Sequence, residues 1–316
     1  MKIRNIYLSS LTSIAVLSSA AAFADEGVYV PELEGGITAS VGAWIATPSS
    51  AQNAPIFTRG DQVEALNVTP GYDVGIDASL GYIFDETANG IEVFYRNFDT
   101  NESGEFTAVD PTDDTNTVDI TDNLGYELNT FDLMISQYMN IGEHMQMRFG
   151  AGASYVELEE NESATIAATS SRGNFPDGGF AQQSSEYKGW GPRLGIDARY
   201  DFGEDIEGLG IVAGGSVAYF LGDLDAVTPQ VKNKAIAYIN NELDNQAVTN
   251  LRGNVGIDYV YYFEDQDLPT LGLEIGYQVD YYADAISASQ ATSSSEITFT
   301  EAATFSGPYV NLKGVF

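Results

Sequence analysis

Hydrophobic side chains recur at every second position through long stretches of this chain. From Tyr72 onward, Val74, Ile76, Ala78, Leu80, Tyr82 and Phe84 fall on one side, and Asp73, Gly75, Asp77, Ser79 and Gly81 on the other. The same alternation runs through Met145–Tyr155, Leu251–Phe263 and Leu271–Tyr281. Weaker versions cover Ile37–Ala46, Ile91–Phe98, Phe131–Met139, Arg193–Phe202, Leu209–Leu221 and Thr304–Phe316. Successive residues of a strand point to opposite faces, whereas a helical period would mix the two classes. The pattern predicts an all-β chain of about ten strands.

The connections alternate in length. Short turns are expected at 85–90, 140–144, 203–208 and 264–270, and long polar segments at 47–71, 99–126, 160–186, 222–248 and 284–302. Transmembrane barrels of the bacterial outer membrane have short periplasmic turns, long outer loops and an even strand count. The expectation is therefore an antiparallel transmembrane β-barrel with both termini in the periplasm, greasy residues facing lipid and ionic ones lining the lumen. In lipid a sheet must close on itself to satisfy its backbone. Parity alone leaves open a soluble barrel with an apolar lumen. Signal peptide, loop asymmetry and the C-terminal Phe316 argue for the membrane.

An echo supports the register. Gly75-Ile76-Asp77, Gly195-Ile196-Asp197 and Gly256-Ile257-Asp258 recur on the second, sixth and eighth strands, and Tyr82, Phe202 and Phe263 follow at the same offset. Such aromatics belong at a membrane interface.

The N-terminus reads as a targeting segment. Lys2 and Arg4 precede an apolar stretch ending in Ala22-Phe23-Ala24, with the small-x-small form of a cleavage site. A signal peptide over 1–24 and a single barrel domain over 25–316 are expected, in preference to a membrane anchor. Loss of Lys2 and Arg4 takes the formal charge from -33 to -35. Nucleic acid and anionic surfaces are poor partners for such a chain. It has no Cys, which excludes disulfides and thiolate metal sites.

By parity the lumen holds Arg96, Arg148, Arg193, Arg199, Arg252 and Lys313, with Asp73, Asp77, Glu92, Asp132, Asp197, Asp258, Glu274 and Asp280. A lipid-facing Arg or Lys near the midplane would cost roughly 2–4 kcal/mol. Arg148 should lie level with Arg199, Asp197 one position above, and Glu274 level with Asp258. The constriction candidates are Arg148, Arg193, Arg199, Arg252, Lys313, Asp77, Asp132, Asp197, Asp258 and Glu274. Two readings stand: a salt-bridged plug, or a charged filter for small solutes. Lumen glycines, among them Gly75, Gly150, Gly195, Gly256 and Gly276, are expected to free space for the latter.

The segment 99–126 carries eight Asp or Glu and no Lys or Arg, so solvation or divalent cations, rather than internal ion pairs, should satisfy it. Residues 230–243 have the spacing of a short loop helix. The single His144 falls in a periplasmic turn, and no catalytic constellation, cofactor motif or metal-ligand spacing accompanies it. No enzyme activity is expected.

At Lys188-Gly-Trp-Gly-Pro-Arg-Leu-Gly-Ile-Asp-Ala-Arg-Tyr200 the chain resembles the Legionella-type major outer membrane protein family. The layouts of Phe131–Tyr155, Tyr72–Phe84 and Gly307-Pro308-Tyr309 are similar too. The resemblance implies a pore for passive passage of small hydrophilic solutes and leaves a homo-oligomer open, although this chain lacks the family's cross-linking cysteines. The alternative is a closed structural or adhesive barrel presenting acidic loops. Expected partners are outer-membrane lipid and lipopolysaccharide, small solutes, and the barrel assembly machinery reading Phe316.

Overall fold

The computed structural model describes residues 27–31, 33, 35–50, 56–59, 62–65, 68, 70–110, 113–168, 179–232, 235–263, 270–291 and 296–316. The expected signal peptide lies outside them, as does most of the turn expected at 264–270.

Ten long strands close into one ring. They are β1 (Gly36–Ser50), β2 (Asp73–Ile83), β3 (Asn89–Asp110), β4 (Asp113–Ile141), β5 (Met145–Ala168), β6 (Gly179–Asp201), β7 (Leu209–Lys232), β8 (Ala235–Tyr261), β9 (Thr270–Ala291) and β10 (Glu296–Val315). Each pairs antiparallel with its sequence neighbour, and β10 pairs with β1 from Ala303↔Ser50 to Val315↔Thr38. Two backbone bonds between Ile37 and Phe316, each 2.9 Å, finish the seam. No strand of the ring is left with an open edge, as lipid requires.

The short turns at 85–90, 140–144 and 203–208 appear as expected. Gly142, at φ +62° in the turn before β5, occupies a region that glycine enters freely. A 3-10 turn, Gly203–Ile206, joins β6 to β7. The N-terminal segment runs along the same rim, where Val28 and Tyr29 pair with Ile141 and Asn140.

The apolar residues of the alternation stand outward in a band. On the echoing strands Ile76, Ile196 and Ile257 are exposed, as are Val255, Ile275 and Leu273 on β8 and β9. Aromatics bound the band: Tyr82, Phe84, Tyr200, Tyr259, Phe263 and Phe316 at the turn end, and Tyr95, Phe131, Trp190, Tyr219 and Tyr281 at the other. Leu271 to Tyr281 spans it in eleven residues, the length a tilted strand needs to cross a bilayer.

Beyond the outer girdle the structure departs from expectation. The segments expected as loops at 99–126, 160–186, 222–248 and 284–302 largely continue the barrel strands as paired hairpins. The segment 47–71 adds a separate hairpin, Ile56–Arg59 with Gln62–Ala65. The helix expected over 230–243 is absent: the described residues there lie on β7 and β8.

The reason is a change of phase in the alternation. Within the band β4 points Phe131, Leu133 and Ile135 outward. Above it Leu124, Tyr126 and Leu128 are buried inward, while Glu127 and Asp119 face water. On β5 the switch falls between Tyr155 and Val156, and on β9 between Tyr281 and Tyr282. Where lipid surrounds the sheet, grease faces out; where water surrounds it, the hydrophobic effect turns grease in. A collar with a packed apolar interior thus stands on a transmembrane barrel.

Ile135→Arg, outward within the band, should destabilise the barrel in lipid vesicles by about 2–4 kcal/mol. Glu127→Arg, also outward on β4 but above the girdle, should stay within about 0.5 kcal/mol of wild type. Urea unfolding followed by tryptophan fluorescence checks both.

Candidate functional site

An ionic belt crosses the lumen in the outer part of the band. Arg96 on β3 donates from Nε and Nη2 to the two carboxylate oxygens of Asp77, at 2.7 and 2.9 Å. Its Nη1 reaches across the ring to Asp280 at 3.0 Å, and Nη2 also meets Gln278 at 3.0 Å. Asp280 in turn accepts from Arg252 Nε at 3.1 Å, and Arg252 Nη1 continues to Asp132 at 3.2 Å. Arg193 closes the series. Its Nε stands 3.2 Å from Asp132, in ion-pair contact though not aligned for a hydrogen bond, and its Nη1 donates to Ser216 at 2.8 Å. Ser154 donates to Asp132 from the neighbouring strand.

The belt therefore alternates three guanidiniums with three carboxylates and carries no net charge. It is dry: Arg96 is 2 % exposed and Asp280 0 %. Charges stripped of water hold this arrangement only with near-complete partnering.

An aromatic plug rests on the belt. Arg96 lies over the Trp44 ring at 4.5 Å from its centroid. Trp44, Phe98, Tyr126 and Tyr282 surround Phe305 at centroid distances between 5.6 and 6.4 Å, tilted or edge-on. Trp44 and Phe305 are fully buried. The lumen glycines do not leave the space that sequence suggested. A Cβ on Gly75 would lie 1.9 Å from the Trp44 indole nitrogen, so Gly75 is where that ring crosses the neighbouring strand. Tyr309 covers Gly256 and Gly276, and the Met134 methyl lies over Gly150.

Below the belt the interior opens into a vestibule of about 540 Å³ facing the short turns. Its walls carry the remaining candidates in three separate groups. Arg148 pairs with Glu92 at 2.6 Å and Asp197 at 2.8 Å. Arg199 pairs with Asp258 at 2.8 Å and with Asp201. Lys313 meets Glu274, which also accepts from the Tyr309 hydroxyl. Outside the belt, three bases on these walls face four acids, Glu92, Asp197, Asp258 and Glu274, while Asp201 lies beyond the lining.

Of the ten constriction candidates, Asp77, Asp132, Arg193 and Arg252 come together in the belt. Arg148, Arg199, Lys313, Asp197, Asp258 and Glu274 line the mouth instead. Arg96 and Asp280, placed in the lumen by parity, turn out to be its central pair. Asp258 and Glu274 are level, as expected. Arg148, however, lies opposite Asp197, and Arg199 opposite Gln146, because the β5–β6 register runs one lumen position from the one expected. Asp73 is exposed at the outer end of β2, its carboxylate accepting from the Val74 amide. Sequence reasoning missed Trp44, Phe305, Gln278, Ser154 and Ser216. Only the phase change could have marked the first two as inward. His144 sits exposed in the turn before β5, away from the belt.

A closed antiparallel ring with an outward apolar band, two aromatic girdles and an ionic interior defines a transmembrane β-barrel of the bacterial outer membrane. The chain belongs to the family described as the Legionella pneumophila major outer membrane protein precursor, which matches residues 29–316. No curated protein matches it. Among solved structures it is similar to the outer membrane protease OmpT of Escherichia coli, with 13% identity, TM-score 0.48, and coverage of 89% of this chain and 97% of that one. A Pseudomonas aeruginosa FadL homologue aligns with 8% identity, TM-score 0.28 and 90% coverage of each chain. The CymD monoaromatic hydrocarbon channel aligns with 8% identity, TM-score 0.27, and 90% and 89% coverage.

Asp280→Ala leaves Arg96 and Arg252 short of a buried partner and should destabilise the barrel by about 3–5 kcal/mol. Lys188→Ala, which removes exposed pairs with Glu157 and Glu186 on the collar, should lose under about 1 kcal/mol. Chemical unfolding in detergent micelles separates the two.

Proposed function

We propose that the protein is a closed outer-membrane barrel, whose work is to hold an acidic, rigid collar above the membrane as a structural or adhesive element. One observation carries this reading: belt and plug fill the lumen in two consecutive layers, one ionic and one aromatic, with their central side chains almost entirely buried. A passive pore needs a wetted path, and residues lining such a path would be exposed. The narrowness fits the strand count, since barrels near eight strands are filled by their own side chains.

A second reading, the passive pore for small hydrophilic solutes, is favoured by the vestibule. Its size and its excess of carboxylates suit a charged antechamber to a filter, and the belt would then be the gate. Solute passage in that reading requires Arg96 to leave Asp280 and Trp44 to leave Phe305 together.

No enzymatic step is proposed. Phe316, exposed at the turn-end girdle, is proposed as the residue offered to the barrel assembly machinery. Lipopolysaccharide around the outer girdle and association with further copies stand in the same position.

Planar-bilayer recording decides between the readings. Wild-type protein, folded and inserted, is expected to remain silent. The Trp44→Ala, Arg96→Ser double variant is expected to give stepwise currents that prefer cations, because the remaining interior is acidic. Steady conductance steps from the wild type would overturn the closed reading in favour of the pore.

A further inference from the structure

Above the aromatic plug the inward face of the collar becomes polar again. Asp122 on β4, with Glu160 and Glu162 on β5, stands there 0, 2 and 3 % exposed. Register places Glu160 opposite Tyr126, Glu162 opposite Leu124 and Asp122 opposite Ala164, so the carboxyls occupy three successive inward levels of one wall. Asp122 and Glu162 are near enough to hydrogen-bond each other, and apart from the Asn123 amide beside Asp122 no donor serves their buried oxygens. One of the pair must hold a proton for that contact to be attractive.

The surroundings supply acceptors and hydroxyls. Ser50 from β1 and Tyr126 from β4 approach Glu160, and Glu301 from β10 adds a further negative charge. Glu102 on β3 lies in register with Leu124, and Gln183 and Ser185 on β6 lie opposite Glu162 and Glu160. From across the barrel, the Ser287 amide of β9 donates to Ser185 at 2.8 Å, so the outer part of β9 lies over this layer. Among the described side chains no Lys or Arg pairs with any of these carboxylates. Two hydroxyls outside the acidic group, Thr100 on β3 and Ser287, are themselves buried and unpartnered. Among the described residues no three carboxylates are spaced to hold a metal ion.

Buried acceptors with no cation beside them need protons. We propose that this layer is a proton-binding site that locks the collar: Asp122 and Glu162 share one proton, Glu160 takes another, and losing them drives the paired outer parts of β4 and β5 from their packed position under β9. Burial pushes Glu160 up to about 7. Burial and the Asp122 charge push Glu162 up to about 9, and burial raises Asp122 as well. Carboxyls raised in this way bind more protons folded than unfolded. The stability they lend is therefore whole only below the ordinary carboxylate value of 4.5 and declines from there as pH rises, that of Glu160 being gone above about 7 and that of Glu162 above about 9. The lock is shut at acidic pH and released at alkaline pH.

Hydrogen exchange of the full folded barrel in detergent, at pH 6 and pH 9 with intrinsic rates corrected, tests this. Protection across 119–126 and 157–164, relative to the band of β8 and β9, should fall by at least about tenfold, since one proton lost on opening shifts that equilibrium tenfold per pH unit. The isosteric Asp122→Asn, Glu160→Gln, Glu162→Gln variant, which removes every titrating group of the lock, should hold its protection at pH 9. Infrared spectroscopy of the wild type, which needs no variant, should show a protonated-carboxyl band at pH 7 that disappears by pH 10. Unchanged wild-type protection, a variant that keeps the pH dependence, or no such band would each overturn the proposal. So would saturable calcium binding at pH 9 that restores protection, which would reassign the layer to a divalent cation.

Discussion

What lies outside the sheet changes part-way up this molecule, and the rest of the structure answers to that change. Each strand is a two-sided ribbon whose faces see different media. In the band the outer medium is hydrocarbon, so Ile135, Ile257 and Ile275 belong outside and charges must be enclosed. A few residues further along the outer medium is water, and Leu124, Tyr126 and Leu128 on the same strand belong inside. The ribbon does not break at the boundary; only the parity of its apolar positions slips. The belt and plug meet near that boundary, where the polar interior of the lower barrel gives way to the greasy interior of the upper one.

The stacking of belt on plug follows. Guanidinium groups are suited to such a junction, because their edges donate to carboxylates while their faces accept aromatic rings. Arg96 does both, donating to Asp77 and Asp280 and lying over the Trp44 ring. Gly75 is part of the same arrangement, since any side chain there would displace the indole. The neutrality of the belt suits its low-dielectric position; the acidic excess of the vestibule suits contact with water.

The strands of the band were legible because period-two alternation is a local property, and so was the inward placement of Arg96, Arg252 and Asp280. The even count and the short turns were legible for the same reason. Partner choice across the ring was not, since Arg96 and Asp280 lie far apart in sequence and meet only once the ring is closed. The β5–β6 register was displaced by one lumen position for a similar reason: the inter-strand shift depends on how the joining hairpin is built, not on either strand alone. The outer hairpins were read as loops because their acidic composition masked an alternation that was present throughout, in Leu124, Tyr126 and Leu128, with its parity reversed. A count of hydrophobic residues blind to parity discards that signal.

The seam between β1 and β10 has a kinetic meaning. Nine of the ten strand pairs join neighbours in sequence and can zip as successive hairpins, whereas this one couples the two extremes of the ring. Its closure entropy must be met in one late step. Until then both margins of the sheet offer unsatisfied amides and carbonyls to any passing strand. The polypeptide is accordingly most vulnerable to self-association just before it becomes nearly immune to it, and an escort covering those two margins would have the greatest effect on yield.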